Sequence, residues 1–77
     1  MSMEDAIKAY CRQHSVSQKD IAVALGVSQQ FMSFVARGHQ KITDERIVAL
    51  PAGDLRDALV AARRAEYEAA IGRLVAA

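Results

Sequence analysis

The chain has 77 residues, a single cysteine and a formal net charge of +1 at pH 7. That length suits one small domain with one core and is too short for a deep catalytic cleft, so no enzyme activity and no cofactor are expected. No apolar run approaches bilayer-spanning length, and the opening residues Met1-Ser2-Met3-Glu4-Asp5 are acidic rather than a basic signal region. With Cys11 unable to form an internal disulfide, the expected setting is the cytoplasm, away from membranes.

Three helix starts are marked by a capping oxygen three residues ahead of an acidic side chain: Ser2 with Asp5, Ser17 with Asp20, and Asp54 with Asp57. The spacing predicts a first helix over about 3–14, with Ile7, Tyr10, Cys11 and His14 on one face. A second follows over about 18–25, with Ile21, Ala22 and Leu25 inward and Gly26 as its left-handed end. Val27 reads as a buried peg in the turn. Ser28 caps a third helix of about ten residues, with Met32 and Val35 inward, that ends at Arg37-Gly38. His39-Gln40-Lys41-Ile42 is a polar loop with one inward isoleucine, and Thr43 caps a fourth helix through Leu50. Pro51-Ala52-Gly53 breaks the chain, and an alanine-rich final helix runs to about Val75. The expected class is all-α with five helices, divided into a core over 1–53 and a C-terminal helix over 54–77.

The second and third helices carry the functional argument. A pair of helices that reads DNA needs a small residue for close crossing, a glycine where the chain reverses, and apolar anchors behind the second helix. Ala22, Gly26, Val27, Met32 and Val35 meet those demands. Residues 1–50 carry six basic and five acidic side chains and residues 51–77 four of each, so attraction to phosphate depends on where the charges sit. From Ser28 to Lys41 there is no carboxylate, and the acidic residue of the other helix starts is replaced by Phe31.

With Gln18, Ala22, Gly26-Val27-Ser28-Gln29, Ser33 and Gly38 in their positions, residues 5–50 resemble the Cro and phage-repressor type helix-turn-helix family. More narrowly, Leu25-Gly26-Val27-Ser28-Gln29-Gln30, Ala36-Arg37-Gly38-His39 and Asp44-Glu45-Arg46 look like small prophage Cro-like regulators, antitoxin-like members included. Val35 and Ala36 depart from the large aromatic and glutamate that many members carry there. The resemblance implies a transcriptional regulator, a repressor in the first instance, that binds a palindromic double-stranded DNA operator as a homodimer. RNA polymerase, or a phage or toxin protein, is a further candidate partner.

Carried over by position, Gln29, Gln30, Ser33 and Phe34 would face base edges, where a glutamine amide can pair with adenine. Gln18 would contact phosphate, with Lys19, Ser28, Arg37, His39 and Lys41 also against the backbone. The alternative is a protein-binding adaptor or antitoxin-like module that keeps the fold and grips its partner through Phe31 and Phe34. Cys11 and His14, three residues apart on a helix, lack the further ligands zinc requires, so Cys11 reads as a small hydrophobe and no metal site is expected. On the final helix, Leu55, Leu59 and Ala62 form one apolar row, while Val60, Tyr67, Ile71 and Leu74 form a second, rotated row that points to a dimer interface.

Overall fold

The computed structural model describes residues 2–76; Met1 and Ala77, the outer ends of the two expected segments, lie outside the described residues. Five helices follow one another: α1 (Met3–His14), α2 (Gln18–Leu25), α3 (Gln29–Ala36), α4 (Asp44–Val48) and α5 (Asp54–Ala76). The described residues contain no strand, and the chain is all-α with a long C-terminal helix. Among the described residues no helix is long and apolar enough to cross a membrane.

Side-chain caps set most helix starts. The Ser2 and Ser28 hydroxyls accept from the amides of Asp5 (3.2 Å) and Phe31 (3.0 Å), and Thr43 accepts from the Arg46 amide (3.3 Å). At α2 the exchange is reciprocal: Ser17 Oγ accepts from the Asp20 amide at 3.3 Å and Asp20 Oδ2 from the Ser17 amide at 2.9 Å. Asp54 departs from expectation. It is the first helical residue rather than the cap, and the Asp57 amide donates to the Gly53 carbonyl at 3.0 Å.

Three helix ends turn on a left-handed residue, with backbone amides donating back to carbonyls of the last turn. After α2, Gly26 (φ 71°) donates to Val23, and Val27 donates to Ala22 at 3.0 Å. After α3, Gly38 (φ 80°) donates to Val35 and His39 to Phe34, so this helix ends at the expected place although its regular part is eight residues. After α1 the position is held by Ser15, the only non-glycine residue with positive φ (54°) among the described residues.

Ile7, Ile21, Met32, Val35, Ile42 and Leu59 are the fully buried centre of the core, which α1 to α5 all reach. Met3 and Ala6 belong to it as well, whereas His14, expected inward, is exposed and stacks its ring on Tyr10 at 4.1 Å. Position 14 falls at the last turn, beyond the reach of the neighbouring helices. Val27 is half-buried against the core rather than enclosed by it. Helix α4 is shorter than predicted and stops at Val48, yet Leu50 is buried, because Ala49 keeps a helical backbone one step further. Leu59 and Ala62 place the proximal half of α5 in the same core as the first four helices. Its 23 residues would measure about 34 Å at 1.5 Å per residue, close to the molecule's longest extent of 39 Å, so the distal half runs past the core.

Candidate nucleic-acid interface

The α2–α3 pair is held by more than its own turn. Arg46 Nη1, from α4, donates to the carbonyls of Leu25 (3.2 Å) and Gly26 (3.4 Å), the C-terminal carbonyls of α2 that the turn leaves open. A guanidinium at a helix C-terminus also meets the negative end of the peptide dipoles. The angle at which α3 leaves α2 is therefore tied to α4, by a residue the motif did not single out for this role.

On α3, Met32, Val35 and Ala36 are buried and Phe31 packs half-buried against the core. At 100° per residue the remaining positions Gln29, Gln30, Ser33, Phe34 and Arg37 share an outward arc of roughly 140°. Gln29 and Gln30 are exposed in the first turn, while Ser33 and Phe34 are half-buried one turn on. The four residues expected to read bases thus lie together. Arg37 stands at the expected end of α3: it caps the helix, its guanidinium lies 5.1 Å from the Phe34 ring centre, and its Nε donates to the Ser33 carbonyl. Phe34 is accordingly covered on one face by a cation from its own helix.

Gln18 is half-buried at the start of α2, and Lys19, Ser28 and His39 are exposed. The Ser28 hydroxyl is occupied by its cap bond to Phe31. Lys41 is exposed and stands beside α5, bordering a cleft with Ser2, Arg63, Tyr67 and Arg73.

The carboxylate-free run from Ser28 to Lys41 is not carboxylate-free in space. Glu4 of α1 reaches Gly38, where a Cβ would stand 2.8 Å from its Oε1. Gly38 lies nine residues from Gln29, roughly 13 Å along a helix axis, so the acid sits at the far end from the glutamines.

A second polar group lies where α4 and α5 meet. Arg63 donates to Asp44, to the Ile42 carbonyl and to Glu66 Oε1 (3.1 Å), and the Tyr67 hydroxyl donates to Asp44. The Tyr67 hydrogen bond, followed by those from Arg63, holds the Asp44 carboxyl below its ordinary value, and the same bond raises the Tyr67 hydroxyl. Glu66 Oε2 also accepts from the Met3 amide at 3.3 Å, tying α1 to α5.

Among the expected interface residues of α5, Val60 is half-buried against the core, whereas Tyr67, Ile71 and Leu74 are 51%, 60% and 79% exposed. Val75 and, on α4, Val48 add to this apolar surface and were not anticipated. Cys11 is half-buried, and burial pushes its thiol up, with Asp20 adding to the shift. Among the described residues no group of three or more His, Cys, Asp or Glu side chains converges as a metal cluster.

No protein-family model, no curated protein and no solved structure matches this chain.

Proposed function

We propose that the chain is a sequence-specific, double-stranded DNA-binding transcriptional regulator of the Cro and phage-repressor helix-turn-helix type, acting as a homodimer on a palindromic operator. The observation that carries this reading is α3. It is an eight-residue helix backed by buried Met32 and Val35, opened by exposed Gln29 and Gln30, free of carboxylates along its length, and locked at its entry by Arg46. An exposed first turn of that kind can enter a major groove N-terminus first, with glutamine amides at base edges and the orphan amides near phosphate.

The Arg37 guanidinium over Phe34 supports DNA over a protein partner for this face. It leaves less bare aromatic surface and brings a cation beside the helix. Gln18, Lys19 and His39 then serve as positioning contacts to the backbone, and the exposed distal part of α5 joins two copies so that two α3 helices reach successive major grooves about 34 Å apart. Blocking polymerase access is the expected consequence at a promoter.

Selection of bound duplexes from a random pool, followed by titration of the selected duplex at several salt concentrations, tests the proposal. The expected result is a two-fold symmetric site whose affinity falls steeply and log-linearly with salt. Absence of enrichment together with negligible duplex affinity at low salt would overturn it.

A further inference from the structure

The second apolar row of α5 has a stricter pattern than an exposed patch requires. Val60, Arg64, Tyr67, Ile71 and Leu74 are spaced 4, 3, 4 and 3, the alternation of a coiled-coil seam, and on a helical wheel they fall within an arc of roughly 80°. That arc points away from Leu59 and Ala62, which face the core. Beside its proximal end, α4 and α5 leave an open groove of about 330 Å³, lined by Ile47, Val48, Val60 and Tyr67 together with Asp44, Arg63 and Arg64, with Val48 58% exposed. One chain therefore carries an apolar tail and an apolar groove, both uncovered and both on the same side of the same helix.

We infer that the groove and the tail fit each other across two copies: α5 packs antiparallel to α5 of a second copy, about a two-fold axis passing near Ala65 and Glu66. The arrangement rests on the homodimer proposed above and specifies its geometry. With the axis there, Ile71 of each copy lies on Val60 and the Val48 groove of the other, and Arg64 lies against Tyr67 and beside Glu68 of the partner subunit. Neither Arg64 nor Glu68 makes an ion pair within the chain among the described residues, where Arg63 holds both salt bridges, so each is free to meet its opposite across the axis. A parallel seam would instead set Arg64 against the same arginine of the partner, stack Ile71 on Ile71, and leave both grooves empty. Charge and shape both favour the antiparallel direction.

Charge reversal tests this at exposed positions that carry no part of the core. Sedimentation equilibrium of the full chain gives the dimer dissociation constant for the parent, for Arg64→Glu, for Glu68→Arg and for the double variant. Each pair occurs twice in the dimer, so each single reversal is expected to weaken it by roughly 2- to 30-fold, with the double variant returning towards the parent. An Arg64→Glu dimer that is tighter than the parent, or a double variant no better than the singles, overturns the antiparallel arrangement and leaves the homodimer standing. A parent chain of monomeric mass at every concentration overturns both. Disulfide trapping adds a direct readout in a Cys11→Ser chain. Val60→Cys with Ile71→Cys should cross-link into dimers while Ile71→Cys alone does not, and efficient cross-linking of the single variant overturns the proposal.

Discussion

Arg46 shows how much of the α3 orientation depends on a single side chain from elsewhere in the sequence. Its two hydrogen bonds close the carbonyls of Leu25 and Gly26, twenty-one and twenty residues away. Replacing it by alanine leaves those carbonyls to solvent, which should lower stability by about 1 kcal/mol and weaken binding to all duplexes alike. Gln29→Ala should behave in the opposite way. It leaves the thermal midpoint unchanged and removes about 1–3 kcal/mol of discrimination at one base pair of each half-site, measured by competition between the selected duplex and its single-base variants. If Gln29→Ala weakens all sequences equally, the base-reading assignment of the first turn of α3 is wrong. The two substitutions separate a residue that holds the turn before the helix from one proposed to read with it. The exposed first-turn position of Gln29 was legible in the sequence because it follows from local spacing, whereas Arg46 acts across a contact that periodicity does not encode.

At the scale of the element, helix boundaries were legible where their chemistry is local. Ser17, Ser28 and Thr43 cap where a hydroxyl three residues ahead of an amide would predict, and Gly26 and Gly38 take the left-handed positions that end α2 and α3. Asp54 misled because an acid in the first turn of a helix and an acid at its cap are alike in sequence; the break after Pro51 places it one residue inside. Gly38 has a second constraint that lay outside any local pattern, since Glu4 of α1 occupies the space a side chain would need. Gly38→Ala should therefore cost about 1–2 kcal/mol from the left-handed backbone alone, with Glu4 displaced in addition, as read by chemical denaturation.

The caps also predict an acid response. The Ser17 amide and hydroxyl hold Asp20 below its ordinary 3.8, and Tyr67 and Arg63 do the same for Asp44. A carboxylate with a depressed folded-state value stabilises the fold fully above 3.8 and loses that contribution as the pH falls through the lower, folded value. The thermal midpoint should accordingly drop below about pH 4, and Asp20→Asn and Asp44→Asn should each flatten part of that drop.

For the whole molecule, the division at residue 53 was only half visible. Leu55, Leu59 and Ala62 were readable as an apolar row, and they make the proximal part of α5 a wall of the core. The distal part is different in kind, since Ile71 and Leu74 stand mostly exposed and belong to no core within their own chain. This contrast yields a prediction at the scale of the assembly. Ile71→Asp removes an apolar contact that occurs twice in a symmetric dimer and inserts a charge in its place, so dimer dissociation should rise on the order of 10²-fold or more. The helical circular dichroism and the thermal midpoint of the monomer should stay as they are, because the substituted side chain is already 60% exposed. Operator affinity should fall with the dimer, and a monomer that still binds a single half-site should do so with the low affinity of one α3 in one groove. An Ile71→Asp chain that keeps its dimer mass would place the contact elsewhere on the surface; one that loses the dimer and keeps full operator affinity would detach DNA reading from dimerisation altogether.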